Sequence, residues 1–145
     1  MNLKNYTSGI AIDRSISKIE ALLVSIGAKN INKTYDEGEL MAISFIAMVD
    51  GNSIAFKLPA KISIVEKVLL SEIRRPRAET LKRIREQSGR TAWKLICDWV
   101  EIQASMIKLQ QAEFVEVFLP YVYKIDSDKT FFESLKEKNY KALLN

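Results

Sequence analysis

Histidine is absent from all 145 residues, which removes the commonest general acid/base and the commonest transition-metal ligand together. A single cysteine, Cys97, cannot form a disulfide within the chain. With histidine gone, it also leaves no Cys/His zinc site and no Ser-His or Cys-His nucleophile system. The five glycines are scattered at turns and near helix ends, so neither glycine-rich phosphate motif can be assembled. No apolar run approaches the ~18 residues that a membrane span needs, and the opening MNLKNYTSGIAIDRS lacks the apolar core of a signal peptide. Cys97 sits inside an apolar helical pattern and reads as a small buried hydrophobe. These features point to a cytoplasmic protein in a reducing compartment. Asp36, Glu37 and Glu39 are the candidates for a carboxylate-only magnesium site, but charges in a hairpin turn are ordinarily solvated. No metal, no cofactor and no enzymatic activity are expected.

What is present suffices for one domain over 1–145: 48% of the residues are hydrophobic, enough for a core without staples. Residues 6–59 read as a helix plus a β-meander, and 60–145 as a mainly helical part. From Ser15 to Ile26, Ile16, Ile19, Leu22, Leu23 and Ile26 recur at helical spacing, Ser17 with Glu20 matches a capping box, and Gly27 is placed to end the helix. Ahead of it, Tyr6 to Ile12 suits either a short edge strand or an extended arm. Asn30 to Tyr35, Glu39 to Val49 and Ser53 to Leu58 have strand composition, and Asp50-Gly51 between two of them is a strong hairpin signal. Both faces of the middle run are largely apolar, which makes it the central strand, covered on more than one side. Pro59 closes the third strand.

A helical pattern covers Ile62 to Ile73, then Arg74-Arg75-Pro76-Arg77 breaks it. From Ala78 to about Gln111 runs one long helix, or two joined near Gly89. At 100° per residue, Leu81, Ile84, Leu95, Trp99, Ile102, Met106 and Leu109 form one apolar stripe and Trp93, Ile96, Val100, Ala104 and Ile107 a second. Both tryptophans read as core. After Pro120, Thr130 can cap a last amphipathic helix holding Phe131, Phe132 and Leu135. The fold class is therefore α+β: a three- or four-stranded antiparallel sheet with an N-terminal helix, packed against a long central helix and shorter C-terminal helices.

The net charge of +4 resides in one stretch. Ser71 to Arg90 holds seven basic residues, Arg74, Arg75, Arg77, Lys82, Arg83, Arg85 and Arg90, against Glu72, Glu79 and Glu86; the other 125 residues carry fifteen charges of each sign. Arginine forks match phosphate oxygens, and a helix starting near Ala78 adds its dipole at the same place. The competing reading pairs Glu79 and Glu86 with Arg83 and Arg90 on an ordinary wet face. Without interleaved exposed aromatics, contacts to a phosphate backbone are favoured over base stacking.

Several short segments resemble a group of small uncharacterised proteins encoded in phages and prophages. They are Tyr6-Thr7-Ser8, Lys18 to Leu23, Gly27-Ala28, Ile54 to Pro59, Ala92 to Val100, and Phe118 to Tyr121 with Thr130. The resemblance implies a mobile-element origin; no activity is attached to the group. The expectation is a phage-type accessory protein that binds nucleic acid, or a nucleic-acid complex, through the seven basic residues. The alternative is a protein-binding module that docks the same arginines on an acidic protein surface, inhibiting or redirecting a host defence complex. An apolar helix facing two ways also leaves room for a homodimer.

Overall fold

The structure is a computed structural model that describes residues 2–145. Its elements run α1 (Ile12–Ser25), β1 (Lys29–Asp36), β2 (Glu39–Val49), β3 (Asn52–Pro59), α2 (Ile62–Leu70), α3 (Ala78–Lys108), α4 (Phe114–Phe118), β4 (Tyr123–Lys124), β5 (Lys129–Thr130) and α5 (Phe131–Glu137). This is the α+β arrangement that the periodicities indicate. The sheet is an antiparallel meander in the order β1-β2-β3, so the most apolar strand is central. Glu37, Gly38, Asp50 and Gly51 all have positive φ, as the tight turns that suit the twist of paired strands require. Among the described residues no fourth strand joins this sheet; β4 and β5 form a separate two-stranded ribbon, bridged to β3 at Phe56 and Val122.

Ile43, Phe45 and Ala47 fill the core from one face of β2. The opposite face is covered only along its first half, where Leu40, Ala42 and Ser44 are buried, while Met48 emerges into solvent. Phe45 stacks on Phe56 with centroids 5.4 Å apart, and Phe118 meets Phe45 edge-on at 5.6 Å. The short α4 thereby enters the same core as the sheet.

α3 is one unbroken helix of 31 residues, about 46 Å long at 1.5 Å per residue, and both α1 and α2 pack on it. Gly89 does not divide it. A Cβ at that position would stand 2.9 Å from Ile12 Cδ1, the free end of a flexible side chain on α1. Ser88, Gly89, Ala92, Trp93, Cys97, Val100 and Ala104 form the buried stripe. Trp93 is fully enclosed, and its Nε1–H donates to the Leu40 carbonyl at 3.2 Å, tying helix to sheet. Burial pushes the Cys97 thiol pKa up, consistent with an inert packing role.

The other stripe departs from expectation. Leu81, Leu95, Ile102, Met106 and Leu109 are exposed, Leu109 by 70%, because α1 and α2 pack on the helix elsewhere. Trp99 is half-buried, edge-on to Phe118 and Tyr121.

Three boundaries also move. α1 begins at Ile12, so Ser17 lies inside the helix and caps nothing; Glu20 instead pairs with Lys33 of β1 at 2.9 Å. α2 stops at Leu70 rather than Ile73. Of the two readings of Tyr6 to Ile12, no edge strand forms among the described residues; the segment turns over 4–7 and continues as an arm strapped across α3. Thr91 Oγ1 donates to the Asn5 carbonyl at 2.8 Å, and Asn5 Nδ2 donates to Asp98 at 2.9 Å. At the other end, Thr130 caps α5 in a reciprocal capping box with Glu133.

Candidate nucleic-acid interface

The seven basic residues of 71–90 fall into two groups. Arg74 and Arg75 stand on the connection between α2 and α3, which ends at Arg77, the extended N-cap of α3 with φ −82° and ψ 166°. Arg75 has φ +50°, immediately before Pro76, a residue that disfavours helical backbone at the position ahead of it. The pair of conformations breaks the chain between two helices and sets the arginines on its outside. Lys82 and Arg83 follow on the second turn of α3. All five side chains are exposed, and none has a hydrogen-bond or ion-pair partner among the described residues.

Arg85 and Arg90 are differently placed. Arg85 is 29% exposed and grips Glu39 of β2 with both arms of its fork, Nε to Oε2 at 3.0 Å and Nη2 to Oε1 at 2.8 Å. Its Nη1 donates to Ser63 Oγ at 3.1 Å and to Glu66 at 3.4 Å, both on α2. The hydrogen bond to Glu39, with the charges of Glu39 and Glu66 adding to it against the cost of burial, raises its already high pKa. Arg85 thus joins sheet, α2 and α3, and the turn carboxylate Glu39 serves this contact. Arg90 donates to the Ser8 carbonyl at 3.3 Å and to Gln87 Oε1 at 2.8 Å, fastening the N-terminal strap. The pairing of Glu79 and Glu86 with Arg83 and Arg90 does not form among the described residues.

No side chain caps the N-terminus of α3, so its first backbone N–H groups point toward the loop carrying Arg74 and Arg75. Between Ser71 and Arg83 there are five basic and two acidic residues, 5 − 2 = +3. The exposed charge of this stretch is therefore net positive.

Sequence reasoning missed a second charged centre at Asp98. Burial alone would push its carboxyl up, but hydrogen bonds from Lys94 at 2.6 Å and Asn5 at 2.9 Å outweigh that and hold the pKa at about 2. The i, i+4 spacing of Lys94 and Asp98 signalled half of it; Asn5, 93 residues away in sequence, had no local signature.

Compared with family models, with curated proteins and with solved structures, the chain gives no match in any of the three. No helix among the described residues is long and apolar enough to cross a membrane.

Proposed function

We propose that this chain is a non-enzymatic accessory protein of phage type that binds nucleic acid by contacts to phosphates from Arg74, Arg75, Arg77, Lys82 and Arg83. The observation that carries the reading is the separation within the basic segment: five exposed side chains without intramolecular partners lie on one loop and the adjoining helical turns. Arg85 and Arg90 are occupied in holding the fold and belong to the interface only as its support. Phosphate contacts make the binding weakly sequence-dependent and strongly salt-dependent, with a slope of about −0.9 per duplex phosphate neutralised. Titration of labelled duplex and single-stranded DNA and RNA at several salt concentrations tests this. Replacing Arg74, Arg75 and Arg77 together with Ala should lower the slope by up to about three units while the melting temperature stays within about 2 °C. Absence of binding to all of these nucleic acids at low salt sinks the proposal.

The exposed apolar strip of Ile102, Met106 and Leu109 favours a second reading, a protein-binding module. A partner held there survives nuclease treatment and is lost in Ile102→Glu, whereas one bridged by nucleic acid is lost to the nuclease.

A further inference from the structure

A cleft lies beside the middle of α3, where α2, α3 and α5 converge. Val65, Leu95, Ile96, Tyr121 and Phe132 give it an apolar lining, and its volume is about 940 Å³. That is within the range of small-ligand sites, in which apolar walls carry a few placed polar groups. An adjoining recess of about 220 Å³ shares Leu95, Ile96 and Tyr121 and extends the apolar surface to Trp99.

The charges around the cleft are not equivalent. Lys61, Lys129 and Lys136 line it together with Glu133 and Glu137. Glu137 is held by Lys129, and Glu133 is occupied in the capping box with Thr130, accepting from its N–H at 3.2 Å and its hydroxyl at 3.0 Å. Lys129 therefore offsets the charge of Glu137, whereas Glu133 bonds to neutral donors and keeps its own. Lys61 and Lys136 have exposed side chains with no partner among the described residues. Lys61 is also the N-cap of the nine-residue α2, whose first turn no side chain caps, so the positive end of that helix stands beside its ammonium. Three lysines against two carboxylates leave the lining with a net 3 − 2 = +1, to which the positive end of α2 adds.

We propose that this cleft binds an amphipathic carboxylate, with its hydrocarbon body against Leu95, Ile96 and Phe132 and its head group received by Lys61 and Lys136. The site is independent of the basic loop: its α3 residues begin at Ala92, nine residues or about 14 Å along the axis from Arg83. A ligand of the same length with a cationic head would meet like charge.

The test uses dodecanoate and dodecylammonium below their micelle concentrations, with affinity read from tryptophan fluorescence and location from backbone amide shifts in NMR. Dodecanoate should bind saturably, at least tenfold tighter than dodecylammonium, and shift the amides of Ile96, Tyr121 and Phe132. Lys61→Ala with Lys136→Ala removes exposed side chains, so the variant should keep its circular dichroism and lose the tenfold preference. The Arg74/Arg75/Arg77→Ala variant should bind dodecanoate within twofold of the unmodified protein. No saturable binding, equal affinity for the two head groups, a preference that survives loss of both lysines, or loss of binding in the arginine variant would each overturn the proposal.

Discussion

Replacing Arg85 with Ala separates the structural from the functional share of the basic segment. The change removes the two-armed contact to Glu39 and the contacts to Ser63 and Glu66, leaving two carboxylates from different elements without their common cation. A hydrogen bond to a charged group contributes roughly 1.5–3 kcal/mol when well shielded. Arg85 is 29% and Glu39 41% exposed, so solvent screens the pair and the low end of that range applies to the whole set, about 2 kcal/mol. At about 2.1 cal/mol/K per residue, 145 residues give an unfolding entropy near 0.3 kcal/mol/K, which converts this loss to a fall of about 5–7 °C in melting temperature. Urea denaturation of Arg85→Ala, Glu39→Gln and the double variant should yield a coupling energy of about 1 kcal/mol or more. Nucleic-acid binding at a temperature where the variant remains folded should be nearly unchanged. Melting within about 1 °C of the unmodified protein, or a binding loss as large as that of the Arg74/Arg75/Arg77 variant, would refute the division.

Two further outcomes follow from the core and the strap. Asp98 has a folded pKa of about 2, below its unfolded value of about 3.9, so its contribution of about 2 kcal/mol is complete above pH 4 and lost as pH falls toward 2. Melting between pH 5 and pH 2.5 should show that loss in the unmodified protein and a shallower decline in Asp98→Asn; parallel declines would contradict it. Trp93→Ala removes a fully enclosed ring and should cost about 3–5 kcal/mol in urea denaturation, while Trp99→Ala, at a half-buried site, should cost less; the reverse order would show that the core is centred elsewhere.

The meander and the long helix were legible because period 2 with Asp-Gly turns and period 3.6 over thirty residues are local signals. The direction in which α3 faces was not. Its two apolar stripes share one period, and the choice between them depends on where α1 and α2 dock, which places Gly89, Ala92 and Trp93 inward and Ile102 and Leu109 outward. The basic segment misled in a similar way. Arg85 and Arg83 look alike in sequence, yet Arg85 meets Glu39 across 46 residues while Arg83 meets nothing among the described residues. Ser17 and Glu20 matched a capping motif at the right spacing, but the helix had already begun at Ile12. Lys61 and Lys136 come to one cleft only through the packing of α5, and no motif spans that separation.

The crossing of α1 over α3 links two positions that are far apart in the chain. With a Cβ at 89 lying 2.9 Å from the terminal methyl of Ile12 and 3.9 Å from its Cγ1, the conflict is with one carbon atom. A valine at position 12 lacks that atom. Alanine at 89, which gains about 1 kcal/mol of helix propensity, therefore asks only that the terminal methyl of Ile12 swing aside or be trimmed to valine, so the two positions are weakly coupled.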